Sequence, residues 1–437
     1  MKKIQIITLG CKVNQYESAS FHSSFEELGH HIVSSDKNSD VVVINTCTVT
    51  GKAGAQSRQA IRKAVRQSPD ARIIITGCHS ELAAKELSEL KELQGKWVSI
   101  ISNGDKHLLV DAALSEDNEI QFPVVSIRQR QEISHLPIQN FGRRTRAYLK
   151  IQDGCNAFCT YCIVPYTRGK SRSLEVREVI KQAKTFEKQG YKEIVITGIH
   201  VGYYGADLSD NTSISNIMEQ LCLATPGVRY RLSSIESIEI TTSLLNIMHT
   251  YSNFMPHLHI PLQSGCDEIL LRMNRRYSTG QFAETVSLCA EKVPDLAVGI
   301  DILAGFPGES DDHFIRSYEF LESLDFTYLH VFPYSKRPGT PAADYPDQVR
   351  KDLKNKRVNL LRELGELKKI NFYKRYIGTT KPVLVEGKRD SYGNLKGFTD
   401  NYIPVIFAGD DSLKNSVIHV RLESAQGTTI KGSVISE

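Results

Sequence analysis

The sequence predicts an α/β protein in three parts: an open parallel α/β domain, a full or partial parallel (βα) barrel, and a small all-β barrel. Three observations carry this. Short apolar runs alternate with helix-period segments over residues 1–116. A second alternation of the same kind begins near residue 141. From about residue 374 the pattern changes to closely spaced alternating strands. A chain of 437 residues has room for two or three domains. The boundaries read from these changes are 1–116, a linker at 117–140, 141–373 and 374–437.

In the first part, IQIITLG, VVVINTC and ARIIITGC read as buried strands, with helices at 17–28 and 54–65 between them. Such alternation predicts a parallel sheet. Each strand runs into a cysteine: Cys11, Cys47 and Cys78. Loops beyond the carboxyl ends of parallel strands gather at one sheet edge, the usual ligand edge. Three cysteines far apart in sequence can therefore meet in space. Residues 117–140 lack periodicity. AYLKIQDGC, KEIVITGIH, RYRLSSIES, HLHIPLQSG, VGIDILAGFPGE and YLHVFPYS then read as six βα units of a parallel barrel. Residues 347–377 read as a long basic helix. KPVLVEG, GNLKGFTDNYIPVIFAG and SVIHVRLESAQGTTIKGSV read as the strands of the small β barrel.

Composition is that of an ordinary globular chain, with 41% hydrophobic and 24% charged residues. No apolar run reaches membrane-spanning length, so no membrane partner is expected. The opening MKKIQIITLGCK is followed by polar NQYE without a small-residue cleavage site, which reads as a first strand and not as a signal peptide. The expected location is the cytoplasm. Net charge is only +4, yet basic residues are clustered. Residues 347–377 hold ten Lys/Arg against four acids, and 126–150 hold six against Glu132. A polyanion suits such surfaces; a solvated helix face and a polar linker explain them equally well.

The nine cysteines lie in a long chain without a secretion signal, where disulfides are not expected. Cys155, Cys159 and Cys162 form C-x-x-x-C-x-x-C in a loop after a strand. Thiolates are the usual ligands of Fe–S clusters. Three ligands on a four-iron cubane leave one iron open, which S-adenosylmethionine can chelate and where one electron can cleave its sulfonium bond. Zinc is the rival, but it favours four closed ligands, and no second pair or nearby histidine completes the set. Cys222 and Cys289 lie in helical patterns and read as core. Cys266 receives no ligand role.

These residues resemble the radical S-adenosylmethionine (SAM) superfamily and, over essentially the whole chain, its methylthiotransferase family. GCKVNQYES, VVVINTCTVT and ITGCHSE are similar to that family's N-terminal domain. GCNAFCTYCIVPYTRGKSRS is similar to its radical motif; HLHIPLQSG, MNRRY, DILAGFPGES and HVFPYSKRPGTPA are similar to its barrel segments. The C-terminal strands resemble its RNA-binding TRAM domain. The resemblance implies two 4Fe-4S clusters, one on Cys155, Cys159 and Cys162 and an auxiliary one on Cys11, Cys47 and Cys78. It also implies SAM contacts near strand ends, for which the candidates are Gly198, Glu236, Gln263, Ser264, Arg276 and Gly305. The superfamily often has Gly-Gly-Glu where this chain has Thr197-Gly198-Ile199. Phe158 and Tyr161 read as packing over the cluster. No catalytic residue is assigned beyond the cluster ligands.

The finer match, in TYCIVPYTRG and TGIHVG, is to the branch acting on N6-threonylcarbamoyladenosine in tRNA. The implied reaction uses two SAM molecules. One methylates sulfur at the auxiliary cluster. The other yields the radical that removes hydrogen from carbon 2 of adenine 37, where the methylthio group joins. A base in the anticodon loop is cheap to extrude. The reaction also needs an electron donor and a sulfur source, neither identified by sequence. For the tRNA, Arg143, Arg144 and Arg146 precede the radical motif. The C-terminal part is balanced, with seven Lys/Arg and seven acids over 380–437, so binding there needs a local face such as Lys388, Arg389 and Lys396. Phe398 and Tyr402 are stacking candidates, and Arg337 a candidate near the barrel mouth. The rival readings are the same chemistry on isopentenyladenosine, methylthiolation of a ribosomal protein, and a non-catalytic zinc-containing RNA-binding protein.

Overall fold

A computed structural model describes residues 1–34, 39–116, 126–139, 141, 142, 144–210 and 212–435. Arg143, and 117–125 of the expected linker, lie outside the described residues. Among those described, no helix is long and apolar enough to cross a membrane.

The β-branched runs Val41–Thr46 and Arg72–Gly77 are buried at every position, as central strands covered on both faces must be. They lie in a five-stranded, wholly parallel sheet. Its order is His31–Val33, Lys3–Thr8, Val41–Thr46, Arg72–Gly77, Val98–Ile100. The order reverses between Lys3–Thr8 and Val41–Thr46, and ligands of open α/β sheets bind outside such a reversal. Cys11 follows the first of these strands and Cys47 the second. Cys11 is the N-cap of helix Lys12–Glu27, and Cys78 opens helix Cys78–Ser88. The chain's fold thus delivers all three cysteines to one edge.

The second α/β series is a partial barrel. Ala147–Lys150, Glu193–Thr197 and Arg229–Leu232 form one parallel three-stranded sheet; His257–Gln263, Ala297–Ala304 and Tyr328–Pro333 form another. The two meet where Tyr230 N–H donates to Asn253 O (2.7 Å) and Met255 N–H to Tyr230 O (2.8 Å). Helix Lys12–Glu27 packs on the free edge strand Ala147–Lys150, and helix Lys351–Lys374 on the other edge strand Tyr328–Pro333. Ile4, Phe21 and Val43 share one apolar core with Leu149, Ile196 and Ile260, so the first two parts are fused.

Strands Thr380–Val385, Leu395–Thr399, Pro404–Phe407, Val417–Gln426 and Thr429–Val434 close into a small barrel. The stretch GNLKGFTDNYIPVIFAG splits into two strands because Tyr402 turns the chain at φ 68°. Phe372, Tyr373 and Tyr376, at the end of the long helix, enter this barrel's core. The second half of the expected linker is not free: Ile127, Leu136 and Ile138 are buried, and Leu136 O accepts from Tyr16 Oη at 2.9 Å.

Candidate active site at the barrel mouth

The loop bearing Cys155, Cys159 and Cys162 leaves the carboxyl end of the first barrel strand and is pinned from several sides. Gly154 has φ +76°, and a Cβ there would lie 1.9 Å from Lys170 O. Cys155 N–H donates to Gly169 O at 3.0 Å and Thr160 N–H to Met273 O at 3.0 Å. Asn274 donates to the carbonyls of Ala157 and Phe158. Two sulfurs have close polar neighbours: Ala157 N–H and His200 Nδ1 each lie 3.4 Å from Cys155 Sγ, and Arg275 Nη1 lies 3.4 Å from Cys159 Sγ. His200 is backed by Glu239 at 2.6 Å, and Arg275 pairs with Glu236.

The second thiol set forms at the sheet edge. Cys47 and Cys78 are buried, while Cys11 is exposed. Asn14 ties the loops together, donating to Leu9 O (2.7 Å) and Thr46 O (3.0 Å). Gly10 has φ +91°, and a Cβ there would meet Cys47 Cβ and Sγ at 2.6 Å. Arg337 donates to the carbonyls of Thr48 and Val49, so it fastens a barrel loop onto the Cys47 loop instead of lining a pocket.

Burial pushes the Cys162 thiol up to about 12, with Cys159 and Cys155 adding to it, and the Cys47 thiol up to about 11, with Cys78 and Cys11 adding. Thiols crowded in this way ionise together only around a compensating cation. A single tetrahedral zinc would need sulfurs roughly 3.8 Å apart, given a Zn–S length of about 2.3 Å. Among the described residues, the sets with three ligand atoms all within 4.8 Å are His259–Asp301–His330 and Cys266–Glu268–His313; neither thiol triad is one of them. The wider spacing suits a polynuclear cluster.

One buried network joins the two triads. Arg168, fully buried, contacts Asn14 Oδ1 (2.6 Å), three residues past Cys11, and Asp153 Oδ1 (3.0 Å), two before Cys155. It also contacts Glu17 Oε1 at 2.9 Å. Lys106 pairs with Glu17, and Lys150 lies 3.6 Å from Glu17 and 3.4 Å from Asp153. These cations hold both carboxyls well below the usual range despite burial.

The other sequence candidates sit at the same carboxyl edge of the barrel, with differing surroundings. The space beside Gly198 is filled by Gln152, whose Oε1 accepts from the N–H groups of Ile199 and His200. Gln263 has φ 70° at a register shift. Ser264 is buried, and its Oγ accepts from Cys266 N–H at 3.3 Å. Gly305, φ +76°, packs against Lys354. Glu236 and Arg276 line a depression beside Cys159, but Arg276 is exposed and its neighbour Arg275 reaches the sulfur. Sequence reasoning missed Arg275, His200 and Arg168. MNRRY and VPYTRG contain the arginines, but only the loop register shows which of them turns inward.

A cavity of about 410 Å³ opens into the barrel from its open side. Rings of Tyr328, His257, Tyr402 and Phe398 form one wall, with Phe398 and Tyr402 stacked at 4.7 Å. Lys12, Arg146, Arg231 and Lys369 also line it, and among the described residues no Asp or Glu does. Phe398 and Tyr402 thus face the barrel from the C-terminal domain, and all three parts of the chain contribute.

Residues 149–321 match the Radical SAM superfamily, and residues 3–99 match "Uncharacterized protein family UPF0004". A parallel barrel with a three-thiol loop at its mouth makes this a radical SAM enzyme. Solved structures agree on the fold. The radical SAM methyltransferase TsrM of Kitasatospora setae superimposes with a TM-score of 0.56 at 14% identity, covering 78% of this chain and 77% of that one. The chain is 38% identical over 431 residues to a threonylcarbamoyladenosine tRNA methylthiotransferase of Bacillus subtilis, covering 97% of this chain and 94% of the relative. It is 32% identical to one of Thermotoga maritima (98% and 96% covered), and 31% identical to a tRNA-2-methylthio-N(6)-dimethylallyladenosine synthase of Fusobacterium nucleatum (100% of both). The chain belongs to the radical SAM methylthiotransferase family, whose cofactors are two 4Fe-4S clusters and SAM.

Proposed function

We propose that this enzyme methylthiolates carbon 2 of N6-threonylcarbamoyladenosine at position 37 of tRNA. The observation that carries the reading is the pair of three-thiol sets joined through one buried guanidinium, in a chain alike over its whole length to relatives named for that substrate. Cys155, Cys159 and Cys162 would hold one cluster, and Cys11, Cys47 and Cys78 the other. The clusters and SAM supply the one-electron chemistry and the sulfur transfer. The protein's own residues orient and shield. Arg275 and the Ala157 N–H donate to thiolate sulfur, and His200 lies beside Cys155. The ring of Phe158 edges onto Tyr166 at the rim of the loop and stays half-exposed. Glu236, Gln263 and Ser264 would face SAM, with Arg276 at the edge of that site, whereas the approach to Gly198 and Gly305 is taken by Gln152 and Lys354. The basic helix Lys351–Lys374 and Arg144 offer cations to the tRNA backbone. Electrons and sulfur come from separate partners, and a tRNA substrate sets the work in the cytoplasm.

Nucleoside mass spectrometry of tRNA from a deletion strain tests this. The 2-methylthio derivative of threonylcarbamoyladenosine should vanish, its precursor accumulate, and a wild-type copy but not Cys11→Ala restore it. Loss of the dimethylallyl derivative instead, or of a methylthio group from a ribosomal protein, would overturn the substrate. Anaerobically purified protein should hold about eight iron atoms, falling to about four when either triad is replaced; zinc in their place would overturn the chemistry.

A further inference from the structure

We propose that Lys12 reads the carboxylate of the threonylcarbamoyl group, making it a specificity-determining residue; this rests on the substrate assignment above. The cavity between the barrel and the C-terminal domain has walls that are aromatic and cationic, without a lining carboxylate among the described residues. A flat base fits the rings, and an anion fits the charge. The lining arginines already carry ion pairs, with Nη2 of Arg146 left over. Arg146 pairs with Glu193 and Glu386, and Arg231 with Glu193 (3.0 Å) and the carbonyls of Asp400 and Thr399 (2.7 Å each). Lys369 lies 2.6 Å from Glu366. Lys12 differs: it lines the cavity with no ion pair or hydrogen-bond partner among the described residues.

Its position in the chain adds a second argument. Lys12 is the first residue of its helix and directly follows Cys11, so its backbone is fixed relative to the auxiliary thiol set and its ammonium stays within side-chain reach of it. The N6 substituent and carbon 2 lie on different edges of adenine. A group that holds the substituent's far end therefore sets how carbon 2 is presented. Asp301, the carboxylate behind this wall, pairs with His259 (3.1 Å) and His330 (3.5 Å); its charge reaches Lys12, but among the described residues no hydrogen bond or ion pair joins the two. Dimethylallyl adenosine has no anion to offer here, and the lysine would be left without a partner.

The test uses the full-length, cluster-loaded enzyme and three anticodon stem-loop RNAs, bearing threonylcarbamoyladenosine, its methyl ester, or plain adenosine. Binding is read by fluorescence anisotropy without SAM. Wild type should prefer the acid over the ester by about tenfold to a hundredfold, the range of a charge-assisted hydrogen bond. Lys12→Met should bring acid affinity down to that of the ester while leaving ester affinity unchanged, and Lys12→Arg should keep most of the preference. Unchanged ester binding and iron content show that Lys12→Met is folded; if it is not, Lys12→Gln takes its place under the same criteria. An acid-to-ester ratio that survives loss of the lysine, or wild type without a preference, overturns the proposal. Failure of wild type to methylthiolate the acid-bearing RNA at all, with SAM and reductant supplied, overturns the substrate assignment instead.

Discussion

Replacing Arg168 by methionine should unfasten the first domain from the barrel. The guanidinium is fully buried and contacts Glu17 at 2.9 and 3.3 Å, Asp153 at 3.0 and 3.2 Å, and Asn14 at 2.6 Å. Methionine fills much of the volume but leaves Lys106 and Lys150 as the nearest cations to Glu17 and Asp153, with Lys150 no closer than 3.4 Å. Breaking a buried charge network by removing one partner costs about 3–5 kcal/mol, because the remaining charges stay desolvated. The single tryptophan, Trp97, is half-exposed in the first domain, so its fluorescence reports that domain's unfolding. With a urea slope of about 1–3 kcal/mol per molar, the Trp97 midpoint should fall by roughly 1–5 M. Arg168→Lys, which keeps the charge but not the fork, should fall between. A midpoint within about 0.5 M of wild type at unchanged slope would refute the reasoning, since the network would then contribute little.

Glu193 gives a pH signature. Despite its burial, Arg231, Arg146 and Arg229 hold its carboxyl down at about 2. A depressed carboxyl stabilises above its unfolded value and loses that contribution as pH falls, so on the order of 3 kcal/mol should disappear between about pH 5 and 2. Glu193→Gln should be less stable at neutral pH and flatter across that window; equal slopes would argue against it. Gly10→Ala places a Cβ on Cys47 in a backbone at φ +91°, so about four of about eight irons should be lost while the signal of the other cluster persists. Full iron in that variant would contradict the packing described. Arg275→Leu removes a donor from Cys159 Sγ, and the midpoint of the radical cluster in an EPR-monitored titration should become more negative; an unchanged midpoint would count against a role for that contact.

The parallel strands and the meeting of Cys11, Cys47 and Cys78 were legible because period and strand-end position are local properties. The cysteine-rich loop was legible for the same reason. What the sequence hides is pairing across distance. Arg168 and Glu17 are 151 positions apart, and nothing local marks either as buried. Arg276 was the candidate and Arg275 makes the contact, because a loop between two short helical segments has no period to fix which side chain turns inward. The glycines mislead differently. Gly198 and Gly305 are needed for close approach, yet what approaches is Gln152 and Lys354. Partial and full barrels have the same strand pattern, and the difference appears only in what packs on the two edge strands.

The cavity's composite walls bear on how the enzyme can be altered. Lys12 comes from the first helix, Arg231 and Tyr328 from the barrel, and Phe398 and Tyr402 from the last domain. Exchanging the C-terminal barrel with that of a relative would replace two rings and leave the ammonium in place. A chimera built along domain boundaries would therefore inherit a mismatched chamber. Transplanting selectivity calls for a handful of point changes scattered from one end of the chain to the other.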